Sequence, residues 1–185
     1  LEKMTNAFVL FESVFDEGGR FVSGRFLYLN TAYERMTGVA RDSVRGRTVH
    51  EVWPDTTPDF TEFVSHVVET GKDRDFEMFH SATGRYYKGS IYRPGTARTR
   101  FCVVFEDISA RKHDEAALQA AHKNLEAVFS AAPVGLLLFD TDERLLSANA
   151  AALTLFNQPA DPVEQRLRCG DVFRCVHRDE LARGG

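Results

Sequence analysis

A chain of 185 residues with 23 Lys+Arg against 27 Asp+Glu carries a formal net charge of −4, and its 43% hydrophobic and 27% charged residues are an ordinary globular composition. That length accommodates one full domain of about 100 to 150 residues plus a smaller remainder, which excludes a large multidomain enzyme. Mild acidity without a run of five basic residues leaves no footprint for a phosphate backbone, so no nucleic-acid partner is expected.

The uncharged apolar stretch at 127–139 contains Pro133 and falls well short of the roughly 20 residues a membrane helix needs, so no membrane segment is expected. Three cysteines, Cys102, Cys169 and Cys175, make no dense disulfide framework, and their odd number fits a reducing, cytoplasmic compartment. Opening on Leu1 and closing on Arg183-Gly184-Gly185, the sequence reads as a piece of something longer, with any effector outside it.

In chain order, the apolar and aromatic residues 8–15, the turn-forming 16–19 and a second apolar run at 25–29 predict a hairpin. Asn30 ends the second strand and is placed to cap a short helix through Met36, closed by Gly38. Residues 42–52 read as further helical turns broken by Pro54. Phe60, Phe63, Val64, Val67 and Val68 then recur at helical spacing until Gly71. Strands follow at 74–80, 85–93 and 98–107, separated by Thr83-Gly84 and Pro94-Gly95. Strand, strand, short helices and a three-stranded meander make an α+β fold: one five-stranded antiparallel sheet with helices on one face.

From Ser109 the pattern becomes a charged, alanine-rich helix with Leu118, Ala121, Leu125, Val128 and Ala132 on one stripe, ended by Pro133. At 1.5 Å per residue, 109–132 would extend about 36 Å. Two readings of the stripe stand: parallel pairing with a second copy of the chain, or packing on its own domain. The sequence also repeats. Arg25-Phe26-Leu27-Tyr28-Leu29-Asn30-Thr31-Ala32 aligns with Arg144-Leu145-Leu146-Ser147-Ala148-Asn149-Ala150-Ala151 at an offset of 119, whereas Met4 aligns with Val128 at 124. The shift implies five extra residues in the first copy, assigned to its turn at 16–20. Expected boundaries are therefore a domain at 1–108, a linker helix at 109–132 and the N-terminal part of a second, similar domain at 133–185.

Asn30-Thr31-Ala32 followed by Gly38, then Glu69-Thr70-Gly71, then Phe105-Glu106-Asp107-Ile108-Ser109-Ala110-Arg111-Lys112, in this order and spacing, resemble the PAS sensory domain family. The last run is similar to the signature with which many PAS domains pass into a signalling helix. The resemblance implies a PAS-like sheet and a role in the sensory region of a protein such as a histidine kinase, a cyclic-dinucleotide enzyme or a transcription regulator. It also implies no catalysis in this segment, a homodimer formed through the linker helix, and a small-molecule ligand in the first domain. Asn30 and Asn149 would hold the strand-to-helix corners, Asp107 with Ser109 would anchor the linker, and Leu118, Leu125 and Val128 would pair. The second copy lacks the three meander strands.

A haem-binding member would be expected to present a histidine about three turns before the Thr-Gly that closes the long helix; Phe60 stands there, with His66 the nearest substitute. A light sensor of the LOV type needs an Asn-Cys-Arg-Phe-like run, which is missing; Cys102 lies on the last strand instead. Proximal-histidine haem and covalent flavin are therefore disfavoured. His50-Glu51 is followed by Trp53-Pro54 where a zinc protease needs its second histidine, His113-Asp114 lacks the following basic residue and proline of a kinase phosphoacceptor helix, and Gly71-Lys72 is no phosphate loop.

Cys169, Cys175 and His177 are soft-metal donors within nine residues, but irregularly spaced and without a fourth ligand, so ordinary cysteines are the expected reading. Ligand-facing side chains in the first domain are expected to be Tyr28, Phe76, Tyr87, Ile91, Phe101 and Val103, drawn from alternating strand positions among 15 phenylalanines and 5 tyrosines. A filled core would leave a ligand-free dimerisation scaffold. An enzyme with His50, His66 or His80 in a cleft is the remaining alternative.

Overall fold

The computed structural model describes residues 4–55, 58–156 and 167–173. They divide into two compact units between Asp114 and Glu115. In the first, strands β1 (Ala7–Phe15) and β2 (Phe21–Leu29) are followed by helices α1 (Thr31–Thr37), α2 (Arg41–Val44), α3 (Val49–Val52) and α4 (Pro58–Thr70). Strands β3 (Arg74–His80), β4 (Arg85–Tyr92) and β5 (Arg100–Asp107) complete it. The sheet order is β2-β1-β5-β4-β3, antiparallel throughout. Because the last strand returns between β1 and β4, the hairpin and the meander share one continuous inner face. Val9, Phe26, Val103 and Phe105 from that face bury against Tyr33 of α1 and Val64, Val67 and Val68 of α4.

β2 begins four residues earlier than its sequence suggests. Gly24 interrupts the apolar pattern there, yet the strand runs through it because a side chain has no room: an added Cβ would sit 2.6 Å from Cζ of Phe101. Two register shifts, opposite Leu10/Phe11 and Val14/Phe15, leave Leu27 and Val22 without partners, so both are bulge residues. The bulge at Leu27 matters for side-chain direction. Phe26 faces the core, and one extra residue then sends Tyr28 to the outer face.

Asn30 is wholly buried, and its side chain ties three backbones together. Oδ1 accepts from the amides of Phe8 and Tyr33, each at 3.0 Å, and Nδ2 donates to the Asn6 carbonyl at 3.0 Å. One residue thus caps α1 and fastens it to the start of β1.

The second unit has strands β6 (Leu137–Phe139) and β7 (Leu145–Ala148) and helices α6 (Ala150–Leu155) and α7 (Cys169–Val172). In chain order helix α5 (Ser109–Ala131) precedes β6. Asn149 repeats the work of Asn30: Oδ1 accepts from Leu136 and Ala152, both at 2.9 Å, and Nδ2 donates to Val134 at 2.9 Å. The bridge Arg25↔Thr48 recurs as Arg144↔Arg168, and the bond from Phe26 N to Arg47 O recurs from Leu145 N to Leu167 O. The same corner has been built twice.

These bonds correct the expected alignment upstream. Asn30 reaches back 22 residues to Phe8 and Asn149 only 13 to Leu136, so the first hairpin is nine residues longer, not five. Nor are the extra residues in the turn. Asp16 Oδ1 accepts from Arg20 N and Asp140 Oδ1 from Arg144 N, four residues on in both copies, and left-handed Gly19 is matched by left-handed Glu143, with φ 74° and 58°. The arms carry the insertion: four residues in β1 and five in β2, the odd one matching the second bulge of β2 where β7 shows one.

Candidate functional site

Between the inner sheet face and the helices of the first unit lies a cavity of about 80 Å³. Val9, Phe26, Val103 and Phe105 form its floor, and Phe76 and Met78 of β3 close one side. Phe60 of α4 stands edge-on to Phe76 at 5.5 Å, while Tyr33 and Trp53 line the helical side. Aromatic edges meeting faces fix these rings against one another and make the wall predominantly apolar.

The polar groups on this wall are few and mostly paired. Trp53 Nε1 donates to the Tyr33 hydroxyl at 3.2 Å, and the Tyr87 hydroxyl donates to the Met36 carbonyl at 3.1 Å. Burial pushes the Tyr33 hydroxyl up to about 12, and burial likewise raises Tyr87, so both stay protonated at neutral pH. His80, on β3, is edge-on to Trp53 at 4.8 Å with Nδ1 3.2 Å from Thr83 Oγ1. Burial lowers its pKa, which favours the neutral imidazole. Among the described residues no lysine or arginine lines the cavity, and the one carboxylate on its wall, Asp55, is exposed.

A second cluster lies where the sheet passes into α5. Asp107 accepts from Ser109 N through Oδ1 at 2.9 Å and from Arg85 through Oδ2 at 2.8 Å. Burial alone would raise its pKa, but the hydroxyl and amide of Ser109 and the guanidinium of Arg85 outweigh it and hold the carboxyl below its usual value. Ser109 in turn accepts from the Tyr86 amide at 2.9 Å. Glu77, on the outer face of β3, meets Lys112 at 2.5 Å and Arg111 at 3.8 Å. The neighbouring Lys112 ammonium holds the Glu77 carboxyl low. β3 therefore presents Phe76, Met78 and His80 to the cavity and, on alternate residues, Glu77 to the base of the helix.

A family model described as the PAS fold matches residues 22–113, and one described as the PAS domain matches 123–184. The chain belongs to the PAS family. Among solved structures it is similar to a domain of an HTR-like protein from Haloarcula marismortui, with 19% identity, TM-score 0.42, and coverage of 57% of this chain and 99% of that one. It is similar also to a sensory box sensor histidine kinase from Vibrio cholerae, at 8% identity and TM-score 0.44 over 57% of this chain and 83% of that one. A third is the photoactive yellow protein domain of the sensor histidine kinase Ppr from Rhodospirillum centenum, at 18% identity and TM-score 0.40 over 57% and 87%. None of the curated proteins compared matches the chain.

Within the first PAS domain, three of the six expected ligand-facing residues, Phe76, Tyr87 and Val103, line the cavity. Ile91 and Phe101 are buried elsewhere in the core, Phe101 stacked on Phe11 at 4.8 Å. Tyr28 does not face the cavity; the Leu27 bulge turns it outward, where it lies beside Phe8, Leu10 and Cys102. Strand alternation could not find Tyr33, Trp53 or Phe60, which come from the helical layer; their signal was an aromatic three residues past the Asn30 cap and the chain's single tryptophan ahead of Pro54.

Of the histidines weighed for a cleft, His80 lines the cavity, His50 pairs through Nδ1 with Ser23 Oγ at 2.9 Å, and His66 is exposed on α4. Phe60, which stands where a haem-binding member would be expected to present its histidine, is part of the cavity wall. Cys102 is on the outer face, and burial pushes its thiol up, away from thiolate chemistry. Cys169 opens α7 at the place Val49 takes in α3. Cys175 and His177 lie outside the described residues, and the described ones hold no group of three metal donors. Leu118, Leu125 and Val128 are 72, 70 and 69% exposed. Among the described residues no helix is long and apolar enough to cross a membrane.

Proposed function

We propose that this chain is the sensory and dimerising relay of a cytoplasmic signal-transduction protein: a PAS domain at 1–108, a linker helix at 109–132 and the first part of a second PAS domain at 133–185. Any histidine kinase or cyclic-dinucleotide effector lies outside it, and the segment itself performs no catalysis. The observation that carries the reading is the double role of β3, whose inner residues wall the cavity while Glu77 on its outer side grips Lys112 and Arg111. Whatever shifts that strand shifts the base of the linker. Pairing of two chains along Leu118, Leu125 and Val128 is supported by three large apolar side chains exposed on one helical stripe.

The test is sedimentation of the chain and of Leu118→Lys and Leu125→Lys. A dimer that weakens in the variants supports the relay; variants as dimeric as the parent remove the helix as the contact. A second reading, a scaffold that pairs without a ligand, is favoured by the cavity itself: about 80 Å³ is small beside the roughly 300 Å³ at which ligand pockets begin. Native mass spectrometry of protein from its own source separates the two by the presence or absence of a bound small molecule.

A further inference from the structure

The cavity's chemistry narrows what could occupy it, an argument that rests on the sensing reading above. Its wall is mainly apolar and aromatic, with neither lysine nor arginine among the described residues to balance an anion. Bringing a carboxylate or phosphate into such a space would strip its hydration without an ion to replace it. His80 supplies no cation, because burial favours its neutral form. The volume of about 80 Å³ is roughly half that of an apolar cavity known to take benzene, which leaves room for about three to four heavy atoms.

Among the described residues one buried hydroxyl on the wall has no acceptor. Tyr33 is only 4% exposed; its hydroxyl accepts from Trp53 Nε1, and among the described residues nothing accepts its own proton. Tyr87 differs, since its hydroxyl already donates to Met36. A buried O–H without an acceptor is disfavoured until something supplies one. Water could do so, but an apolar wall gives a water few of the two to four partners it needs.

We propose that this cavity takes a small neutral molecule, apolar over most of its surface and bearing one acceptor oxygen of the short ketone or aldehyde kind, oriented by the Tyr33 hydroxyl. The carbonyl accepts the tyrosine proton as an ordinary hydrogen bond, and no covalent step is involved.

The chain's single tryptophan is the reporter, because its indole N–H bonds the hydroxyl in question and gives one resonance. The full 185-residue chain is titrated with acetone, with 2-methylpropene as the same shape lacking the oxygen, and with tetramethylammonium, while the Trp53 indole shift is followed. The expected result is saturable binding in which the ketone exceeds the alkene at least fivefold. Tyr33→Phe should lower ketone affinity at least fivefold and alkene affinity less than twofold. Equal binding of ketone and alkene, or tetramethylammonium as the strongest occupant, overturns the ligand class while leaving a sensing cavity. No saturable shift with any probe overturns the cavity as a binding site, and the proposal with it. The ratio in the unaltered chain decides on its own should Tyr33→Phe fail to fold.

Discussion

Replacing Asn30 with alanine tests the corner on which the first PAS domain is built. The variant loses the cap on α1, usually about 1 kcal/mol, and leaves the buried Phe8 amide without its acceptor, about 1–3 kcal/mol. The Asn6 carbonyl loses its donor for about another 1 kcal/mol, whereas Tyr33 N keeps the Asn30 carbonyl at 3.0 Å. Together these amount to about 3–5 kcal/mol, a large part of the roughly 5–15 kcal/mol that holds a domain folded. With a urea slope of about 1.5 kcal/mol/M the unfolding midpoint falls by about 2–3 M.

Trp53 fluorescence is the assay, since the only tryptophan sits in the first unit and reports on it alone. Asn30→Asp keeps both amide acceptors but turns no donor toward Asn6, so its midpoint should fall between the two. Asn149→Ala, which breaks the matching corner of the second unit, should leave the tryptophan transition where it was. A drop of less than about 0.5 M for Asn30→Ala, where the loss predicts several times that, would show that the buried side chain is dispensable.

Gly24→Ala forces a Cβ to within 2.6 Å of Phe101 Cζ and 3.1 Å of Phe11 Cδ1, so the same fluorescence transition should move by about 1–3 kcal/mol; a neutral result would mean the two rings yield freely. Glu77→Lys sets like charges against Lys112 and Arg111. It should speed amide exchange at the first turns of α5 several-fold while changing the first unit's stability by less than about 1 kcal/mol, and unchanged exchange would remove Glu77 as a link to the helix. For His80 the sign follows from its lowered folded pKa: between that value and the usual 6.5 the unfolded chain holds more protons, so stability is complete above 6.5 and is lost as pH falls through the folded pKa. His80→Phe should flatten that part of the stability profile relative to the parent, and parallel profiles would contradict it.

Residues that act through their own backbone neighbours were legible in the sequence. Asn30 could be assigned to a corner because a short carboxamide before a helical run caps it, and the structure adds the Phe8 and Asn6 bonds that no local pattern shows. β3 was legible at both ends because its flanking Gly71 and Thr83-Gly84 are strong breakers. Tyr28 was not, since alternation runs true only until a bulge, and Leu27 looks like any other strand leucine. The cavity was half legible for the same kind of reason. Strand parity finds the floor, but the helical wall of Tyr33, Trp53 and Phe60 depends on how α1, α3 and α4 lie over the sheet, which is a tertiary fact.

The size of the cavity also limits what any occupant could do to β3. At the ceiling of about 1.5 kcal/mol per heavy atom, four atoms bind with about 6 kcal/mol, and more ordinary efficiencies give a good deal less. Driving a two-state element from 1:99 to 99:1 takes about 5.5 kcal/mol of difference between its states, nearly all of that ceiling. Nor can the Glu77 contacts add much, because half-exposed ion pairs contribute about 0–1 kcal/mol. A signal entering here must act on a strand already close to balance. β3 has the construction such a strand requires: it is an edge, bonded to β4 alone, with one face on a cavity that its core neighbours fill incompletely and the other on a helix base held by charges that water can replace. On the sensing role proposed above, occupancy would bias the strand by about tenfold for each 1.4 kcal/mol of preference, a graded rather than all-or-none response.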